Sequence, residues 1–244
     1  MRLAIISDIH ANLEALNAVL EDITRQRINE TVCLGDIVGY GANPNECAVL
    51  AEKHCVLTLL GNHDAAALGI LSTQNFNIPA RIAIEWTSEQ LDESTRTFLK
   101  NLPLKETRHD ISFVHATPYE PDMWHYISSL EEAAYNFQFF KTDFCFIGHT
   151  HTPLIIVVNA EKELYIHQAP GLDYRTMPGA RFLVNVGSVG QPRDRDAKAC
   201  YGILDVEEKS FVCRRVRYEV EKTQTKMKKI QMPEFLIARL SEGR

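Results

Sequence analysis

The strongest constraint in this chain is a recurring unit: a short apolar run closed at its C-terminal end by Asp, Asn or His, then a helical pattern. Leu3 to Ser7 runs into Asp8, Thr31 to Leu34 into Gly35-Asp36, and Val56 to Leu60 into Gly61-Asn62. Runs this short and this apolar read as strands buried on both faces. Between them, Leu13, Leu16, Val19, Leu20 and Ile23 recur at helical spacing. Residues 12–27 therefore read as an amphipathic helix, and Pro44 to His54 as a second. This alternation predicts an α/β sheet with crossover helices. In such sheets ligands bind beyond the C-terminal strand ends, which is where the polar residues fall.

Further along, 78–101 reads as helical up to Pro103, Ile111 to Val114 as a strand, Glu131 to Lys141 as a helix and Phe144 to Ile147 as a strand. From Leu154 the texture changes. Leu154 to Val158, Glu163 to His167, Arg181 to Val186, Tyr201 to Val206 and Phe211 to Tyr218 are strand-like and separated by turn-forming clusters. A second, more antiparallel sheet is expected after the α/β half. No Pro/Gly/Ser linker divides the halves, so 1–244 reads as one domain. Within it, 1–150 is mainly βαβ, 151–220 mainly β, and 221–244 a C-terminal tail or helix. Arg214 to Lys229 carries seven basic and two acidic residues. It reads as a solvated strand and tail, with contact to an anionic ligand as the alternative.

Composition narrows the function. With 244 residues, 45% hydrophobic and 24% charged, the chain can bury a sizeable core, and disorder is excluded. The 26 Lys and Arg are outnumbered by 32 Asp and Glu, a net charge of −6. General nucleic-acid binding needs a cationic surplus to displace phosphate counterions, so it is not expected. The longest apolar stretch, Leu154 to Val158, is too short for a membrane span. Asp8 comes too early for a secretory signal. Cys33, Cys47, Cys55, Cys145, Cys200 and Cys213 form no C-x-x-C pair and sit mostly in apolar runs. They read as small core hydrophobes of a reduced, cytoplasmic protein. The sequence sets no oligomeric state.

Chemistry concentrates at five strand ends: Asp8-Ile9-His10, Gly35-Asp36, Gly61-Asn62-His63-Asp64, His115, and Gly148-His149-Thr150-His151. Five of the nine histidines lie there. D-x-H and H-x-H on extended backbone would aim both side chains the same way, and the preceding glycines allow sharp turns and close approach. Asp, Asn and His without thiolates suit Mn, Fe or Zn in a catalytic site. Taken singly, Asp8 reads equally as a helix cap and His115 as a satisfied core histidine. Capping does not account for five such clusters at equivalent strand ends. Other chemistries lack their signatures: Val186 stands where a nucleophile elbow needs Gly, and no phosphate-binding Gly-Lys loop is present.

The order D-x-H, G-D, G-N-H-D, H, G-H-x-H resembles the calcineurin-like metallophosphoesterase superfamily. Asp8-Ile9-His10-Ala11-Asn12 and Asn185-Val186-Gly187-Ser188-Val189-Gly190-Gln191-Pro192-Arg193 are similar to its small bacterial and archaeal branch. The resemblance implies a two-sheet β-sandwich flanked by helices, a four-layer α/β/β/α fold. It also implies two divalent ions, manganese first, with Fe, Zn, Ni or Co as alternatives. Asp8, His10 and His151 would hold one ion; Asn62, His115 and His149 the other. Asp36 would bridge, its carboxylate offering two oxygens. The ions would activate a shared hydroxide. His63 would assist the leaving group by stabilising or protonating it, with Asp64 orienting its ring. His109 and His125 rival His115 for the lone histidine, but only His115 ends an apolar strand.

The superfamily's protein phosphatases and dinucleoside tetraphosphate hydrolases carry G-D-x-V-D-R-G and an Arg before G-N-H. Here the second block is Gly35-Asp36-Ile37-Val38-Gly39-Tyr40-Gly41, and Leu60 precedes the third. Both phosphate-gripping arginines are missing. The resemblance therefore implies a hydrolase of small or nucleotide phosphodiesters. A phosphomonoesterase of the same fold is the alternative, and a non-catalytic scaffold a third reading that the presence of His63 disfavours. Arg193 is the replacement candidate for a phosphate contact, against surface pairing with Asp194 or Asp196. Tyr40 reads as a pocket wall or a turn residue, and Asn12 as an outer hydrogen bond at the site or a helix cap. Tyr119, Trp124 and His125 lie in a loop that either covers the site or simply packs.

Overall fold

The computed structural model describes residues 1–167, 173–175 and 178–244. The chain runs β1 (Arg2–Ile6), α1 (Leu13–Thr24), β2 (Glu30–Cys33), α2 (Pro44–His54), β3 (Leu57–Thr58), α3 (Asn62–Ala67), α4 (Ile78–Gln90) and α5 (Glu93–Lys100). It continues through β4 (Lys105–Arg108), β5 (Ile111–Val114), α6 (Leu130–Asn136), β6 (Phe144–Ile147), β7 (Leu154–Val158), β8 (Leu164–His167) and β9 (Asp173–Arg175). It closes with β10 (Arg181–Asn185), β11 (Ala199–Asp205), β12 (Ser210–Val216), α7 (Val220–Lys229) and α8 (Glu234–Glu242).

Two mixed sheets result, in the orders β3-β2-β1-β11-β12-β9 and β4-β5-β6-β10-β7-β8. β1 lies parallel to β2 and antiparallel to β11, where Arg2 faces Asp205. β10 is parallel to β6 and antiparallel to β7. The expected separate antiparallel sheet after residue 151 is corrected here. The later strands are shared out, three to each sheet, and complete the sheets begun by β1–β3 and β4–β6. Period-two patterning identifies a strand but not its distant partner.

Alternation along β1 shows why its whole run is apolar. Leu3 and Ile5 point between the sheets, against Phe113, Phe146 and Phe182. Ala4 and Ile6 point outward, against Leu16, Val19, Ile84 and Leu99 of the helical layer. On the far side, Ala133, Phe137 and Phe140 cover Val114, Cys145 and Leu183. The layers are therefore helix, sheet, sheet, helix, as the resemblance implied.

Local signals set the helix ends. Asn12 caps α1 by accepting from the Ala15 N–H at 3.1 Å. The run 78–101 is two helices rather than one, because the Asp92 carboxylate accepts from the Thr95 N–H at 2.7 Å and starts α5 afresh. The helix expected to reach Lys141 stops at Asn136, since Phe137 and Phe140 turn into the core. Residues 221–244 are mostly helical. Met227, Leu236 and Leu240 pack there with Tyr40, Ala80 and Ala83. The six cysteines are unpaired, and all but Cys55 are buried. Among the described residues, no helix is long and apolar enough to cross a membrane.

Candidate metal centre and its cavity

Both sheets deliver donors to one seam. The loops after β1, β2 and β3 bring Asp8, His10, Asp36 and Asn62, while those after β5 and β6 bring His115, His149 and His151. The backbone there is not extended, contrary to expectation. Asp8, His10, Asp36, His149 and His151 have φ of 53°, 49°, 53°, 67° and 61°. Left-handed backbone costs an L-residue roughly 1–3 kcal/mol and persists only where the surroundings over-determine it. Here main-chain bonds do so. The Asp8 N–H donates to Gly35 O (3.0 Å), His10 to Asp36 O (2.9 Å), and Gly190 to Asp8 O (2.9 Å). Gly61 is required for close approach, because a Cβ there would lie 2.1 Å from Asp36 Oδ1.

The histidines are fixed from behind. The Nδ1 atoms of His10, His115 and His151 each face a main-chain carbonyl, of Val38 (3.2 Å), Leu34 (3.0 Å) and Gln191 (2.6 Å). Each Nδ1 must carry the proton, which leaves Nε2 as the inward atom. His10 Nε2 and His151 Nε2 then face each other at 3.1 Å. Burial holds both rings neutral, well below the usual histidine range. Two lone pairs at that distance repel unless a cation lies against both. His149 Nε2 is buried with no hydrogen-bond partner.

Carboxylates complete the centre. Asp8 Oδ1 is 3.4 Å from His151 Nε2, and Asp36 Oδ2 is 3.6 Å from His10 Nε2 and 3.4 Å from His115 Nε2. Asn62 Oδ1 lies 3.3 Å from His115 Nε2. Asp36 Oδ1 accepts the His63 main-chain N–H at 2.8 Å. A single oxygen, Oδ2, therefore faces both groups, rather than one oxygen to each. Asp8, His10, Asp36 and His151 form one set whose donor atoms lie within 4.8 Å of one another; Asp36, His115 and His149 form a second.

Electrostatics follows from burial and from Asp36. Burial raises Asp8 well above the carboxylate range. Burial would raise Asp36 too, but His115 and His63 outweigh it and hold Asp36 ionised. Burial opposes charge on His115, yet Asp36, then Asp8, raise it to about 9. Burial and the neighbouring His115 lower His149 to about 3. His115 and Asp36 would hold a divalent ion in place of the proton they otherwise share. The oxygen and imidazole donors fit such an ion.

A cavity of about 410 Å³ opens onto this centre, lined by Asn62, His63, His149, Tyr40 and Arg193 among others. His63 meets Tyr40 at 4.4 Å and Phe76 at 5.4 Å between ring centroids. Asp64 does not reach its ring, which corrects the expected pairing. The Asp64 oxygens accept main-chain N–H groups of Ile37 (2.9 Å), Val38 (3.0 Å) and Gly61 (3.0 Å). Adjacent helix positions diverge by about 100°, so Asp64 ties two loops together while His63 faces the cavity. His63 Nδ1 has no partner and sits against Gly39, which has no side chain to accept from it.

Arg193 does not pair at the surface. Its Nη2 donates to Gln191 Oε1 at 3.0 Å and to the Tyr40 hydroxyl at 3.5 Å. Asp194 and Asp196 are engaged by Arg215 and Lys198. Asn12 is absent from the cavity. It caps α1, accepts from Thr223 (3.0 Å) and donates to the main-chain oxygen of Gly190 (2.8 Å), whose own N–H holds Asp8 O, so it is both a helix cap and an outer hydrogen bond behind the centre. Of the loop after His115, Trp124 reaches the cavity, whereas Tyr119 and His125 stack on each other outside it. His109 pairs with Glu30 at the surface, away from the donors. The basic stretch is largely neutralised, with Arg214 on Asp22, Arg215 on Asp194 and Lys226 on Glu14. Cavity residues without a sequence signal include Phe76, Tyr126 and Arg239. Arg239 stands in an ordinary amphipathic helix with no motif around it.

A family model described as the calcineurin-like phosphoesterase superfamily domain matches residues 1–209. The chain belongs to this superfamily. An uncharacterised protein of Methanocaldococcus jannaschii is 42% identical over 248 residues, covering 99% of this chain and 98% of that protein. The crystal structure of a metallophosphoesterase from Sphaerobacter thermophilus superposes with a TM-score of 0.87 at 39% identity, covering 100% of this phosphoesterase and 99% of that chain. A hypothetical protein of Pyrococcus horikoshii shares the fold, with a TM-score of 0.80 at 22% identity over 100% of this chain and 98% of its own.

Proposed function

We propose that this protein is a two-metal phosphodiesterase acting on small or nucleotide diesters. The facing pair His10 Nε2 and His151 Nε2, 3.1 Å apart and both unprotonated, carries the reading, because it calls for a cation. Asp8, His10 and His151 would hold one ion, Asn62, His115 and His149 the other, and Asp36 both. Manganese suits this mixture of oxygen and nitrogen donors, as do iron and zinc. Bound there, divalent ions supply an activated water and offset charge on the phosphoryl oxygens.

The chain's own groups supply the rest. Burial lowers His63 to about 4, and the Arg193 charge works in the same direction. A neutral ring donates a hydrogen bond to the leaving oxygen and need not surrender a full proton. Asp64 fixes the loop that carries His63 by gripping three main-chain N–H groups. Arg193, braced on Tyr40, is placed to meet a phosphate oxygen of the bound substrate. Gly39 and Tyr40 in the G-D block and Leu60 before G-N-H stand where a monoester-gripping arginine would, which supports a monoanionic diester over a dianionic monoester. The unpaired cysteines fit a reducing compartment such as the cytoplasm.

The test is hydrolysis of bis-p-nitrophenyl phosphate by protein loaded with Mn²⁺. Turnover should be lost in chelator and in Asp36→Asn, and kcat/KM for the diester should exceed that for p-nitrophenyl phosphate. The reading fails if no diester is turned over with any divalent metal; the reverse preference turns it into a monoesterase.

A further inference from the structure

Arg193 and Arg239 enter the same cavity from distant parts of the chain, one from the loop after β10 and one from α8. The basic side chains of β12 find acids: Arg214 bonds Asp22 and Arg215 bonds Asp194. Among the described residues, no Asp or Glu side chain pairs with either cavity arginine. Arg193 bonds only to Gln191 and Tyr40, and its Nε is buried without a partner. Arg239 donates Nε to the main-chain oxygen of Arg244 and lies over the Phe235 ring at 5.0 Å. Burial, then the nearby Arg193 charge, lowers Arg239 to about 10. Two half-buried like charges on one cavity repel each other, and an anion that arrives with the ligand relieves that repulsion. The donor centre accounts for one phosphoryl group, and the guanidinium pair is placed to answer a second anion on the same ligand. Phe76, Trp124 and Tyr126 line the same cavity and offer faces to a planar ring.

Resting on the phosphodiesterase reading, we infer that the substrate is a nucleotide phosphodiester bearing an additional phosphoryl group, which Arg193 and Arg239 hold while the donor centre and His63 engage the scissile diester. Arg239 is thus a specificity residue contributed by the C-terminal helix. Guanidinium pairs suit a terminal phosphate because each offers two parallel donors.

Two dinucleotides isolate the effect, ApA with and without a 5′-phosphate, since both present the same scissile linkage. The Mn²⁺-loaded wild type should favour the phosphorylated dinucleotide in kcat/KM by about tenfold or more, as one charge-assisted contact allows. Arg239→Gln should collapse that preference, and Arg239→Lys should keep part of it. Thermal melts should show both variants folded. If the melts show Arg239→Gln unfolded, Arg239→Lys decides alone, and an undiminished preference overturns the proposal. Equal rates on the two dinucleotides, an intact preference in Arg239→Gln, or turnover of bis-p-nitrophenyl phosphate but of neither dinucleotide each overturn it while the phosphodiesterase reading stands. If no diester is hydrolysed at all, that reading fails separately. The anion site is then judged by calorimetry of the 5′-phosphorylated dinucleotide on chelator-treated protein. Binding weakened about tenfold in Arg239→Gln upholds the site, and no binding to wild type removes it.

Discussion

Asp36 Oδ2 faces His10 and His115 at once, and this one oxygen couples protonation to metal loading. With His115 raised to about 9, its ring carries a proton at pH 7 that an incoming ion must expel. Metal affinity should therefore climb with pH from 6 toward 9 and fall as acid is added. Calorimetry in two buffers of different ionisation enthalpy should show proton release at pH 7, and release should be reduced in His115→Gln. Uptake of protons, or none, would contradict the assignment. His63 makes a separate case. His63→Ala should lower kcat by about 100-fold or more if the ring donates to the leaving oxygen. Because the ring is already neutral at pH 7, the wild-type kcat should show no descending limb between pH 6 and 8; such a limb would point to proton transfer instead.

Among the elements, α1 is the most instructive. Its cap, Asn12, also bonds Gly190 and Thr223, so the helix start is tied to the β10–β11 loop and to α7. Asn12→Ala should destabilise the fold by about 1–3 kcal/mol, combining a lost cap with an unsatisfied buried carbonyl. Urea unfolding would measure this, with metal-loaded kcat changed far less than in Asp36→Asn. Among the strands, the bounds were read most closely where both faces are buried. The bounds of β6 and β7 match the apolar runs, and α2 begins at Pro44 as its helix-start signals require. β4 escaped notice because all four of its residues are exposed and polar, leaving no alternation to read. Six donors and Asn62 were legible because each ends a strand, a local property. The distribution of late strands between the sheets, and the arrival of Arg239 at the cavity, depend on pairings across most of the chain. The geometry of Asp64 was missed for a subtler reason: proximity in sequence to His63 is not proximity of side chains on a helix.

At the scale of the whole molecule, the donors divide between the two sheets, so bound ions would fasten one sheet to the other. Metal should then stabilise the fold by mass action, by about 2.7 kcal/mol at a hundredfold excess over Kd. For a domain of this size that raises Tm by roughly 5–10 °C. A thermal melt in Mn²⁺ against one in chelator would show it, and identical melting curves would argue against ions binding at the seam. The pairing of β1 with β11 carries a further consequence. Asp8 is clamped from above by Gly190 and by the Ser188 hydroxyl, at 2.9 and 2.8 Å. The strand that delivers it waits for Ala199–Asp205 as its antiparallel neighbour. During synthesis on a ribosome, the first donor to emerge is thus among the last to be seated. A nascent chain should hold its early Asp and His residues loosely until residue 205 has left the exit tunnel, and should become competent to bind divalent ions only then.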